Sequence, residues 1–126
     1  MIEFVAHRYA IMRALAHDPG CLQPVILDLG AGANPISAPL ACRQRIRVDV
    51  RADKHPSLIC DLARSIPLAA HSIDLVIAGE IIEHIAHSRQ FLAEICRVLV
   101  PGGSLLLSTP NIVSLKYRLA FLLGRI

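Results

Sequence analysis

The chain has 126 residues, 54% of them hydrophobic and 18% charged, and carries a net charge of +3 from 13 basic and 10 acidic side chains. That length suits one compact core rather than two domains, and the apolar content excludes a disordered segment. The mild basicity, without a long Lys/Arg run and with only 4% aromatics, makes no case for nucleic acid, and no apolar stretch approaches the ~18 residues of a membrane span.

Residues 1–20 read as an amphipathic helix with Phe4, Ile11 and Leu15 on its buried side, ended by Asp18-Pro19-Gly20. Glu3, His7, Arg8 and Arg13 interrupt it, so it lacks the apolar centre of a signal peptide. Strand-like runs follow at 24–29 (PVILDL), 45–50 (RIRVDV), 57–62 (SLICDL), 73–79 (IDLVIAG) and 103–110 (GSLLLSTP). The fourth is almost continuously apolar, as a parallel strand buried on both faces should be. The fifth is opened by Pro101-Gly102-Gly103 and closed by Pro110. Between these two, Phe91, Leu92, Ile95 and Leu99 recur on one helical face, with Ser88 placed to cap the helix. Residues 112–126 read as a last amphipathic helix with Leu115, Leu119, Leu122 and Ile126 on one side. Alternating strands and helices with short loops predict an α/β parallel sheet in one domain, residues 1–126, with the core at 24–111. Cys21, Cys42, Cys60 and Cys96 lack C-x-x-C spacing and read as buried thiols in a reducing cytoplasm.

The stretch ILDLGAGANP at 26–35 ends a strand in a glycine loop, with Pro35 placed to start a helix. Gly30 and Gly32 allow a tight turn and close approach of backbone to a ligand. The dinucleotide fingerprint requires a glycine where Pro35 stands, which weakens an NAD reading. Asp49, at the end of the second strand, is placed to accept hydrogen bonds from ribose hydroxyls. Loop, acid and alternation together point to an adenosine-containing ligand.

In order, ILDLGAGAN, VDV, CDLARSIPLAAHSIDLVIAGEIIEHI and FLAEICRVLVPGGSLLLSTPN resemble the class I S-adenosylmethionine-dependent methyltransferases, and most closely the group with E-x-x-E-H after the fourth strand. The resemblance spans about residues 24–111 and implies a Rossmann-like sheet, here cut to about five strands in the order 3-2-1-4-5. It implies S-adenosylmethionine as cofactor. Asp28, Gly30, Ala31 and Gly32 would form the loop under its methionine and ribose. Asp49 would hold the ribose hydroxyls, with Val50 beside the adenine. Asp61 would accept from the adenine amino group, and Leu62 would offer its N–H to the ring. Ala78 and Gly79 would flank the sulfonium. The bland alternatives are a loop-capping Asp28, a solvated Asp49 and a turn-capping Asp61.

Glu80, Glu83 and His84 stand at a spacing that one helical turn would bring together. In two groups of similar proteins these positions hold a divalent metal, so Mg²⁺, Mn²⁺ or Zn²⁺ is a candidate second cofactor. A polar rim of the cleft, with His84 hydrogen-bonded to a loop, is the preferred alternative. His84 is also the candidate to accept a proton, since imidazole titrates near neutrality. The implied activity is methyl transfer to a nucleophilic acceptor, of unknown identity, mostly by alignment of the reacting atoms. The rival is a cofactor-binding core that works only with a partner. The family's later strands have no counterpart after Pro110, which predicts a homo-oligomer, here a dimer, or a partner subunit.

Overall fold

In the computed structural model, residues 23–32, 36–50, 56, 58–110 and 122–123 are described. The helix expected over 1–20, the helix start at Pro35 and nearly all of the helix expected over 112–126 lie outside them. Leu122, placed above on the apolar side of that last helix, is 82% exposed.

The described elements are β1 (Val25–Leu29), β2 (Gln44–Asp49), β3 (Leu58–Ile59), β4 (Ile73–Gly79), a 3₁₀ turn (Ile82–His84), helix α1 (Ser88–Val98) and β5 (Leu99–Ser108). The strands form one parallel sheet in the order β3-β2-β1-β4-β5, the order expected. β1 and β4 sit at its centre, which is why their sequences are apolar at nearly every position.

Alternation sends side chains to two cores. On one face, Val25, Leu27, Leu29, Val76 and Ala78 pack with Phe91, Ile95 and Val98 of α1. On the other, Ile26, Leu75 and Ile77 pack with Ile36 and Leu40 from the segment after the glycine loop. That segment runs as turns over 36–40 and carries no helix there.

Five local expectations are corrected. α1 begins at Ser88 itself, with His87 in the capping position and no side-chain cap. It ends at Val98, and Leu99 is extended, ahead of Val100, whose helical backbone Pro101 disfavours. Val98 therefore completes the buried face assigned above to Leu99. β5 opens at Leu99, so Pro101-Gly102-Gly103 lies within it and not before it. There the pairing slips from Ile73↔Leu99 to Leu75↔Ser104, and Gly102 supplies the left-handed φ of +80° that the irregularity needs. β3 is two residues and not six, because Asp61 turns the chain: its Oδ1 accepts from the Ala63 N–H at 2.9 Å and its carbonyl from the Arg64 N–H at 3.1 Å. Cys42, Cys60 and Cys96 are free thiols, but Cys96 is exposed on α1 rather than buried.

Candidate functional site

The chain leaves β1 for β2 and β3, then returns to β4 on β1's other side. At such a reversal the loops part, and a crevice opens at the carboxyl ends of the strands. A cavity of about 380 Å³ lies there, within the range of ligand pockets.

Its walls come from every strand end around the reversal. Gly30 follows β1, Asp49 and Val50 close β2, Cys60 to Ala63 follow β3, and Gly79 to Ile81 follow β4, with His84 and Ile85 beyond. Gly30 is favoured by its backbone conformation, and a Cβ there would also displace the end of the Ile81 side chain. Its φ is +66°, and a Cβ there would stand 2.7 Å from Ile81 Cδ1. The loop is tied to β2 by the Gly30 N–H, which donates to the Val48 carbonyl at 2.8 Å, and by the Gly32 N–H, which donates to Asp49 Oδ2 at 3.0 Å. Val50 is 68% exposed, an apolar side chain held at the rim.

Three carboxylates, Asp49, Asp61 and Glu80, line the cavity without a Lys or Arg among the described lining residues. Such a pocket favours a cationic or hydroxyl- and amino-bearing ligand over a phosphate. The Cys60 thiol is pushed up by burial and by the neighbouring Asp61 charge, so it stands as a neutral wall.

Of the residues singled out from sequence, Gly30, Asp49, Val50, Asp61, Leu62, Gly79, Glu80 and His84 line this cavity. Ala31 is buried beside the loop, Gly32 is held by Asp49, and Ala78 is enclosed in the sheet. Asp28 is absent from the walls. It lies on the Ile26 face, 2% exposed, and its Oδ2 accepts from the Ser37 N–H at 2.9 Å. It thus ties β1 to the turns over 36–40. Burial pushes its carboxyl up, against the hydrogen bonding of Ser37 and the charges of Arg45 and Arg47.

The grouping expected of Glu80, Glu83 and His84 is not formed. Glu80 leaves β4 with φ +56°, outside the turn that holds Glu83 and His84, and its N–H donates to the Ser108 carbonyl at 2.9 Å. Among the described residues no three His, Cys, Asp or Glu side chains gather into a set that could hold a metal ion. Cys60, Ala63, Ile81 and Ile85 are wall residues that pattern reading missed. Only their position next to the motif residues pointed to them.

Comparison with known proteins agrees with this geometry. Residues 27–107, more than half of the chain, match the family model described as a methyltransferase domain. The human mitochondrial ubiquinone biosynthesis O-methyltransferase is 31% identical over 124 residues, covering 82% of this chain and 34% of that protein. The chain thus spans about a third of that relative's length. Among solved structures, the Haloferax volcanii complex of the Trm112 methyltransferase activator superposes with a TM-score of 0.67 at 23% identity, covering 79% of this chain and 50% of that one. A SAM-dependent methyltransferase from Aquifex aeolicus gives 0.57 at 16%, covering 92% and 86%. These two likenesses concern the fold, and together with the matched residues they leave one assignment: this chain belongs to the methyltransferase domain family.

Proposed function

We propose that the chain binds S-adenosylmethionine in the cavity at the carboxyl ends of β1, β2 and β4 and serves methyl transfer to a nucleophilic acceptor. The observation that carries this reading is a pocket of cofactor size with three carboxylates and no Lys or Arg in its described walls. When bound, the cofactor supplies an electrophilic methyl group on a sulfonium. The chain's own residues bind and orient it. Asp49 accepts from the ribose hydroxyls, Val50 covers one adenine face, Asp61 accepts from the adenine amino group, and Leu62 presents backbone to the ring. Gly30 and Gly79 let the chain pass close to the ligand, and the acidic walls favour the positive sulfur. His84, exposed at the cavity edge, is the group placed to take a proton from an acceptor. A divalent metal is left out of the reading, because its three expected ligands are not gathered.

A second reading, in which this core works with a partner or a second copy, rests on β5. It is the edge strand of the described sheet, and Leu105 and Leu107 are 37% and 38% exposed on it. The Haloferax volcanii structure named above pairs an activator with a methyltransferase fold, which is the same kind of arrangement. A cytoplasmic setting belongs to the same proposal. No helix among the described residues is long and apolar enough to cross a membrane.

Titration calorimetry tests the main reading. The chain binds S-adenosylhomocysteine more tightly than NAD, and Asp49→Ala loses about 1–3 kcal/mol, as when hydroxyl donors are left unpaired. A folded chain that binds neither, or a variant that binds equally well, refutes it.

A further inference from the structure

The wall that would meet the adenine has little secondary structure of its own. β3 ends at Ile59, and residues 60–72 reach β4 through turns alone. A two-residue strand cannot hold a recognition loop in place, so something else must. Leu62 and Ile66 are inserted in the core beneath α1. The loop's backbone is met by two side chains of that helix. Glu94 Oε2 accepts from the Ile66 N–H at 3.0 Å. Arg97 Nη2 donates to the Ile66 carbonyl at 2.8 Å, and Arg97 Nη1 donates to the Leu68 carbonyl at 2.9 Å. The two side chains brace each other, with Arg97 Nε on Glu94 Oε1 at 2.9 Å and Arg97 Nη2 on Glu94 Oε2 at 3.0 Å.

This is a rigid fork whose donors and acceptor match three backbone groups of one loop. Glu94 is 19% exposed and Arg97 37%, so the pair is half-sheltered rather than loose on the surface. Neither residue lines the cavity. The held segment leads directly back to Asp61, which lines the cavity with its side chain 57% exposed and its Oδ2 3.7 Å from Arg64 Nε.

We propose that Glu94 and Arg97 are positioning residues that hold the Asp61–Ala63 wall in register, and so set the preference of the site for an adenine over a hypoxanthine base. The proposal rests on the cofactor reading given above. Its chemistry is simple. Adenine presents an amino donor to the Asp61 carboxylate, whereas hypoxanthine presents a carbonyl that the carboxylate repels. A carboxylate tells them apart only while it is held at hydrogen-bonding distance. The contact is partly open to solvent, so the preference belongs at the low end for charged hydrogen bonds, about tenfold.

The test uses the full chain with Arg97→Met and, as the conservative partner, Arg97→Lys. Calorimetry measures S-adenosylhomocysteine against S-inosylhomocysteine, and hydrogen exchange of the ligand-free chain reads the loop. Wild type is expected to prefer the adenine compound about tenfold. In Arg97→Met that ratio falls to within about twofold of unity, chiefly through loss on the adenine side, and exchange rises at Ala63, Arg64 and Ile66 but not in β1 or β4. Arg97→Lys, which keeps the charge but not the fork, falls between them. A general loss of stability would weaken both ligands equally and leave the ratio intact, and that result overturns the proposal. Unchanged exchange at the loop overturns it as well. Should wild type bind neither compound, the cofactor reading fails and the base preference with it, while the exchange data still decide whether the fork holds the loop. Should Arg97→Met not fold, Arg97→Lys carries the same measurements and the same refutation.

Discussion

Replacing Asp28 separates a structural carboxylate from a ligand-binding one. It is 2% exposed, beside a Ser37 that is fully buried, and the Ser37 N–H has Asp28 Oδ2 as its acceptor at 2.9 Å. Alanine leaves that N–H without a partner inside the protein, a loss of about 1–3 kcal/mol. Against a domain stability of about 5–15 kcal/mol this is easily resolved. Asparagine keeps an oxygen in the same place and removes the cost of burying a charge, so it should lie within about 1 kcal/mol of wild type. The pH dependence has a definite sign. Burial raises the Asp28 carboxyl above its ordinary 3.8, so the folded state takes up its proton at a higher pH than the unfolded state. Stability from this group is therefore lost as pH rises from 3.8 through the folded value, and is flat above it. Urea unfolding followed by circular dichroism, at neutral pH and at steps down to the acid limit, measures both effects. Asp28→Asn should lack this component of the profile. Because Asp28 is not among the cavity's described lining residues and its Oδ2 is taken by the Ser37 N–H, Asp28→Asn should also bind S-adenosylhomocysteine nearly as wild type does, unlike Asp49→Ala. An Asp28→Ala chain as stable as wild type, or an Asp28→Asn chain that loses the ligand as Asp49→Ala does, would refute the assignment.

Gly30→Ala and Gly32→Ala should each cost about 1–2 kcal/mol for a left-handed backbone, at φ +66° and +57°. Only Gly30→Ala also drives a Cβ to 2.7 Å from the wall residue Ile81, so calorimetry should show the larger loss of S-adenosylhomocysteine affinity there. Glu94 shows the opposite pH sign to Asp28. Its hydrogen bonds from Arg97 and the Ile66 N–H hold it below its ordinary 4.5, so its contribution is present above 4.5 and lost as pH falls through the folded value. Thermal unfolding of Glu94→Gln across that acid range should lack this loss, and a profile parallel to wild type would refute it.

The central strands and their order were legible in the sequence. Val25–Leu29 and Ile73–Gly79 are apolar at nearly every position because both faces of a central parallel strand are covered, and short right-handed crossovers leave few orders for five such strands. The glycine loop and Asp49 were legible for a local reason, since a left-handed turn and an acid at a strand end are properties of a few adjacent residues. What was not legible depends on which groups meet. Alternation places Asp28 on the face opposite Leu27 and Leu29, but it cannot say that this face brings Ser37 to its carboxylate. The spacing of Glu80, Glu83 and His84 fits one helical turn, yet Glu80 leaves its strand in a left-handed conformation, and the three do not form a ligand set. The i, i+3 spacing of Glu94 and Arg97 on α1 accounts for their ion pair alone. That both reach the backbone of Ile66 follows from a contact made across 28 and 31 residues of chain, which only packing of α1 over the loop brings about.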